Sequence, residues 1–353
     1  MSNLLLTSDL IILSLIKRAI IYKICYNFFM EIKIDSHNAN QRIDKLVRKV
    51  LNSAPLSFIY KMFRKKDVKV DGKRVDISYI VKEGENVQIY IKDDLLEKFQ
   101  STPVIRKVKT NLNIIYEDEN ICIVNKPKGL IVHGDEHEKR ITLQNIFLNY
   151  LVQKGEFSPT DSKGFVPGPC HRLDRNTSGI VILGKNLITM QELLKLFQNK
   201  TQIKKRYIAL LYAKKINKSG EIDLPLLKDS NSGLVRVGRI EKGAKRALTR
   251  YTVLKKYGDF ALVEAELVTG RTHQLRVHFQ AINCPIVGDG KYGNFQINEE
   301  FERIYGLKNQ FLHAEYFEFL NLEGPLKYLS GKKIHAELPN IEKGILEGLQ
   351  NEC

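Results

Sequence analysis

Apolar residues at Ile43, Leu46, Val47, Val50 and Leu51 recur at helical spacing, with a basic polar face opposite. Pro55 ends that pattern, and Ser57 is the expected N-cap of a second helix through Phe58, Ile59, Met62 and Phe63. Residues 68–75 then alternate about Asp71-Gly72, a hairpin signal, and residues 86–91 read as a further strand. Glu31-Ile32-Lys33-Ile34, after Met30, reads as a first strand. Residues from about 93 onward have linker character, with Ser101-Thr102-Pro103 as a break.

A larger region begins near Leu112. Residues 114–125 read as strand, turn, strand. Lys126-Pro127-Lys128-Gly129 makes a turn, and 130–133 resumes an extended run. Residues 142–152 and 187–199 have helical patterns, whereas 207–213, 246–254, 260–267, 272–279 and 316–320 read as strands. Strands outnumber helices and do not alternate with them, which predicts an α+β fold with a mixed, mostly antiparallel sheet and flanking helices. The expected organisation is a small module at 30–95, a linker at 96–110 and a large domain at 111–345. Residues 1–29 read as an upstream extension or disordered tail, with a membrane or partner anchor as the alternative. Their longest uncharged apolar stretch before Lys17, residues 10–16, is too short to span a bilayer.

Charge changes the picture. The formal net charge of the 353 residues is +16. Residues 41–75 hold eleven Lys/Arg against three Asp, so half the excess sits in about a tenth of the chain. Such concentration implies a polyanionic partner, and without an amphipathic aromatic face nucleic acid is preferred to membrane. The five cysteines are scattered with no C-x-x-C, which argues against a disulfide framework or a cysteine zinc site and suits a reducing cytoplasm. Cys170, four residues before Asp174, reads as a buried structural thiol. A monomer is expected.

Candidate chemistry centres on His171-Arg172-Leu173-Asp174-Arg175-Asn176-Thr177-Ser178-Gly179, followed by the apolar run Ile180-Val181-Ile182-Leu183. One carboxylate sits among arginines on a loop anchored by a strand, an arrangement that favours an ionised Asp. Lys204-Lys205-Arg206-Tyr207 places cations beside an aromatic, which suits a flipped nucleotide. Thr269-Gly270-Arg271-Thr272-His273-Gln274-Leu275-Arg276-Val277-His278 alternates with period two, so Leu275 and Val277 are expected on one strand face and Arg276 and His278 on the other. His273 and His278, five apart and without a third ligand, do not predict a metal site.

The Asp174 string resembles the catalytic motif of the RluA-type pseudouridine synthases, which isomerise uridine in RNA. The other two patches resemble that family's motifs in the family's order, as do Val124-Asn125-Lys126-Pro127-Lys128-Gly129-Leu130-Ile131-Val132-His133, Pro285-Ile286-Val287-Gly288-Asp289-Gly290-Lys291-Tyr292-Gly293 and Phe311-Leu312-His313-Ala314. The basic module is similar to an S4 RNA-binding domain, with Arg42, Arg48, Arg64, Lys65 and Lys66 set to meet phosphates. The resemblance implies that Asp174 acts at the ribose and Arg172 enters the helix where the target base has left. It also implies that Tyr207 packs on the base and that an Arg of the alternating motif pairs with the Asp. Arg276 is assigned to the pair, with Arg271 second, and Leu275 to the apolar contact. Arg175 and His171 are loop-shaping or phosphate-facing. No metal or organic cofactor is implied. Pro285–Gly293 reads as closing scaffold.

Within the family the layout is most similar to the C-type large-subunit (23S) ribosomal RNA synthases, and the D type shares it. The expected partner is therefore large-subunit ribosomal RNA. A non-catalytic RNA-binding ribosome-assembly factor is the rival from another class. A hydrolytic glycosidase uses two carboxylates flanking the bond, and no second acid accompanies Asp174 in these motifs.

Overall fold

The computed structural model describes residues 29–35, 38–99, 108, 111–134, 140–158, 165–199, 201–229 and 233–351. The expected extension, apart from Phe29, and most of the expected linker lie outside the described residues. The chain divides into two compact units, residues 1–105 with 157–166 and residues 106–156 with 167–353.

In the first unit, β1 (Phe29–Lys33), α1 (Ile43–Val50), α2 (Leu56–Lys65), β2 (Val68–Val70), β3 (Lys73–Arg74), β4 (Asn86–Tyr90) and α3 (Asp93–Phe99) follow in order. The four strands form an antiparallel sheet in the order β1-β4-β2-β3. Asp71 and Gly72 both take positive φ, 48° and 75°, as a two-residue hairpin turn requires. Ile43, Leu46 and Val47 of α1 and Ile59 and Met62 of α2 are buried with Ile32, Val68, Val87 and Ile89 in one core. Helix α2 starts at Leu56 after Pro55, not after Ser57, because the proline carbonyl already accepts the first helical bonds, from Phe58 and Ile59. A helix occupies 93–99, where a linker was expected to open. Phe99 ties it down, its ring 4.8 Å from that of Phe58.

The second unit is built on one large sheet. Its elements are β5 (Ile114–Glu117), β6 (Ile121–Lys126), α4 (Leu143–Gln153), β7 (Gly168–Pro169), β8 (Ser178–Gly184), α5 (Leu187–Asn199), β9 (Ile203–Tyr212), β10 (Ser219–Asp223), β11 (Leu226–Lys228), β12 (Val235–Val237), β13 (Leu248–Tyr257), β14 (Phe260–Leu267), α6 (Gln274–Ala281), α7 (Phe295–Tyr305), β15 (Leu312–Phe319), β16 (Lys333–His335) and α8 (Asn340–Asn351). The main path runs β10-β13-β14-β9-β15-β8-β6-β5, with β16 on β15 and β7 on β8; β11 and β12 form a separate pair. Among the described residues its strands pair antiparallel, except β15 with β8. The fold is α+β. The central strand β8 is the apolar run after Asp174, and all seven of its residues are buried.

One expected strand is a helix. Residues 274–281 form α6, and Gln274, Leu275, Arg276, Val277, His278 and Phe279 are all buried. The alternation of polar and apolar residues reports no solvated face here, because the polar side chains bond inward. Gln274 donates to the Leu248 carbonyl and Thr249, and His278 meets Thr249 and the Leu224 carbonyl. Among the described residues, no helix is long and apolar enough to cross a membrane.

Candidate active site

Asp174 sits on the loop between β7 and β8, and the loop is held at several points. The Thr177 N–H donates to the Asp174 carbonyl at 3.0 Å. Lys126, at the end of β6, donates to the Arg175 carbonyl at 3.1 Å. His171 stacks on Phe197 of α5, centroids 4.4 Å apart, and its Nε2 accepts the Ile182 N–H of β8. Burial drives the His171 pKa down to about 3, so this ring is a neutral strut. Arg175 donates through Nε to the Gly129 carbonyl, which ties the loop to the Lys126-Pro127-Lys128-Gly129 turn. Gly179, at φ 115°, lets β8 approach β15: a Cβ there would collide with the Ala314 backbone.

Beside the loop is a cleft of about 340 Å³ lined in part by Arg172, Asp174, Tyr207, Arg271, Leu275 and Arg276. The Asp174 side chain keeps 24% of its exposure. Tyr207 comes from β9 and is largely buried; burial first, then the negative charge of Asp174, raise its phenol above the ordinary value. It therefore stays protonated through the neutral range. Leu275 and Arg276 come from α6, whose start is pinned by Gln274: its amide oxygen accepts from Thr269 and from the Arg271 N–H.

Arg276 is the guanidinium that meets Asp174, Nη1 to Oδ2 at 3.2 Å. Arg271 lines the cleft but donates to the Arg246 carbonyl instead. Arg172 is exposed at the cleft wall. The other expected contacts belong to the first unit. Arg48, Arg64, Lys65 and Lys66 are exposed, whereas Arg42, also exposed, pairs with Asp44 at 2.9 Å.

Sequence reasoning missed the residues behind this pair. A second acid does accompany Asp174: Asp289, whose side chain has no exposure, accepts from Arg276 Nε at 2.7 Å and Nη2 at 2.8 Å. Burial works against the charge on Arg276, yet Asp289 first and Asp174 after it hold its pKa above the ordinary value. Tyr292 lays its ring on Arg276, 5.0 Å from centroid to Cζ. His273, beginning the turn into α6 at φ 53°, places Nε2 3.9 Å from Asp174 Oδ2. A signal was present in the donor count. A guanidinium has five N–H groups and a carboxylate takes two in a fork, so a buried Arg paired with one Asp implies a further acceptor. Asp289, the acid of a glycine-rich turn, was available to supply it.

These groups give the cleft one accessible carboxylate with a fixed cation on one side and a flat aromatic beside it. The second acid is consumed by Arg276, so among the described residues the cleft does not assemble the pair of free carboxylates that glycoside hydrolysis uses.

Comparison with known proteins bears on the same residues. Residues 120–281 match the family described as RNA pseudouridylate synthase, and residues 41–87 match the S4 domain. The chain is 34% identical over 291 residues to a protein of Vibrio vulnificus named ribosomal large subunit pseudouridine synthase C, an alignment covering 82% of this chain and 87% of that one. It is 32% identical over 322 residues to the Escherichia coli protein of the same name, covering 90% and 95%. Among solved structures, human RNA pseudouridylate synthase domain containing 4 superposes with a TM-score of 0.53 at 26% identity, over 67% of this chain and 93% of that chain.

Proposed function

Because this chain belongs to the RNA pseudouridylate synthase family and is an isomerase, we propose that it converts specific uridines of large-subunit ribosomal RNA to pseudouridine, with Asp174 as the group that acts on the ribose. The substrate class follows the names of the C-type relatives and the S4 domain. The reaction breaks the bond from uracil N1 to ribose C1′, turns the base, and joins C5 to C1′. The proton lost from C5 is balanced by one gained at N1, so the product is an isomer. The carboxylate works at the sugar as nucleophile or base.

The observation that carries this reading is the half-buried but accessible, cation-paired carboxylate of Asp174 in a cleft with an aromatic wall. Tyr207 and Leu275 receive the everted base as an aromatic plate and an apolar contact. Extrusion costs a few kcal/mol of stacking, and Arg172, exposed at the cleft wall, fills the vacated position; a planar guanidinium suits it. Arg175 faces phosphate. In the first unit, Arg48, Arg64, Lys65 and Lys66 hold structured RNA by its backbone, with Arg42 a lesser contributor because Asp44 already occupies it. The buried thiols Cys122, Cys170 and Cys284 suit a reducing cytoplasm.

The test is pseudouridine mapping in ribosomal RNA from cells lacking the protein and cells restored with wild type or Asp174→Asn. Sites should vanish on deletion, return with wild type and stay absent with the variant. Sites restored by Asp174→Asn overturn the role of Asp174. If the lost sites lie only in other RNAs, the substrate assignment fails.

A further inference from the structure

The two carboxylates on Arg276 are held unequally. Asp289 takes a side-on fork, Nε to Oδ2 and Nη2 to Oδ1, at 2.7 and 2.8 Å, while Asp174 receives one bond of 3.2 Å from Nη1. Asp289 has no freedom to yield. Its Oδ1 also accepts the N–H groups of Lys291 and Tyr292, at 2.9 and 3.1 Å. Its carbonyl accepts from the Gly293 N–H and from the Asn298 side chain of α7. Gly288, at φ 78°, carries the chain into this turn, where a Cβ would meet the Asn309 carbonyl.

A second contact approaches the same oxygen of Asp174. The Tyr292 hydroxyl accepts the Val235 N–H at 3.0 Å and lies 2.9 Å from His273 Nδ1. With the hydroxyl hydrogen given to Nδ1, a neutral His273 carries its proton on Nε2. That atom faces Asp174 Oδ2 at 3.9 Å. Both Arg276 and His273 therefore address Oδ2. Oδ1 of Asp174 accepts no hydrogen bond among the described residues.

We propose that Asp289 is a positioning residue: by locking Arg276 side-on it sets the guanidinium so that one Nη1 N–H meets Asp174, tethers Oδ2, and reserves Oδ1 as the oxygen that meets the ribose. The proposal rests on the reading that Asp174 is the reacting group. The physical reason is geometric. A guanidinium free of Asp289 would take Asp174 in a two-pronged fork, the preferred Arg–carboxylate geometry, and that fork would occupy Oδ1 as well. Held from behind through Nε and Nη2, the guanidinium plane cannot turn to bring a second prong onto Asp174, and a single Nη1 bond results.

The experiment compares wild type, Asp289→Asn, Tyr292→Phe and Asp174→Asn on a large-subunit ribosomal RNA transcript. It measures kcat, KM for RNA and the thermal midpoint of the full chain. Asp289→Asn keeps the shape but places an amide where Arg276 needs an acceptor. It should lower kcat by roughly 30-fold or more while KM stays within about threefold, since the lost interaction concerns the reacting group and not RNA binding. Tyr292→Phe keeps the ring over Arg276 and removes the hydroxyl that orients His273; a several-fold loss in kcat at unchanged KM is expected. If Asp289→Asn does not fold, Arg276→Lys, added to the set, decides the matter: an ammonium cannot be held in a side-on fork, so wild-type kcat in it would overturn the proposal. A fall confined to the thermal midpoint, with kcat retained, overturns it too. An active Asp174→Asn would instead sink the reading of the site itself, so the two failures are distinguishable.

Discussion

Lys126 reaches into the loop that carries Asp174, its ammonium donating to the Arg175 carbonyl at 3.1 Å. The same Nζ donates to the carbonyls of Pro127 and Leu130, both at 2.9 Å, and the side chain is wholly buried. Burial pulls its pKa down to about 7, while the charge of Asp174 pulls the other way. Three acceptors match the three N–H groups of an ammonium, whereas an amine offers two, so the contacts favour the charged form.

Lys126→Met should leave those three carbonyls without their donor. Offset by the relief of a buried charge, the expected loss is about 2–4 kcal/mol of stability. Activity should fall further than the folded fraction does, because the loop holding Asp174 loosens. Urea unfolding and single-turnover isomerisation at a temperature where the variant is folded provide the check. Wild-type turnover would remove Lys126 from any part in placing the loop.

Gly179 marks the point where β8 enters the sheet beside β15, paired with Ala314. At φ 115°, and with the Ala314 backbone where a Cβ would stand, Gly179→Ala is expected to cost more than about 3 kcal/mol through strain and overpacking. Gly258, at φ 53° with open space around it, is the comparison: Gly258→Ala should cost about 1 kcal/mol, from backbone strain alone. Equal thermal midpoints for the two variants would contradict the close approach.

Much of this fold was legible along the chain because its signals are local. The Asp71-Gly72 turn needs two positive φ angles and has residues that tolerate them. The helix expected at 187–199 is α5, and the expected strand 260–267 is β14. What was not legible is long-range. Helix α6 looked like a strand because Gln274, Arg276 and His278 are polar yet buried, so alternation of residue type did not correspond to alternation of exposure. Their partners lie on β13, on the chain before β11, and at Asp289, which no local pattern names. Asp289 was read as scaffold for the same reason. The donor count that points to it applies only to a buried Arg276, and that burial was hidden while α6 read as a strand.

The S4 unit makes an electrostatic prediction. Arg64, Lys65 and Lys66 close α2 with exposed side chains, Lys66 in the left-handed conformation at φ 65°. If each neutralises a phosphate, replacing all three by Gln should make log affinity for the RNA less steep in log salt by about 2 to 3, since each contact contributes roughly 0.7–0.9. Arg42→Gln should change the slope less, because Asp44 already neutralises that guanidinium. Filter binding across a salt series measures both. An unaltered slope for the triple variant would place the RNA elsewhere.

Burial also lowers the pKa of four histidines, His171 to about 3 and His273, His278 and His313 in the same direction from 6.5. The unfolded chain then binds protons below pH 6.5 that the folded chain refuses. Stability from these groups is fully present above 6.5 and is lost as pH falls, for His171 down to about 3, at about 1.4 kcal/mol per pH unit for each group. His171→Phe keeps a ring on Phe197 but leaves the Ile182 N–H without its acceptor. It should be less stable than wild type at pH 7, yet lose stability more slowly on acidification, by one proton's worth of slope. Urea unfolding at pH 7, 6 and 5 reads this directly: the wild-type and variant lines should converge as pH falls. Parallel lines would mean that His171 titrates alike in the folded and unfolded chains, and that its ring is not the neutral strut beneath the Asp174 loop.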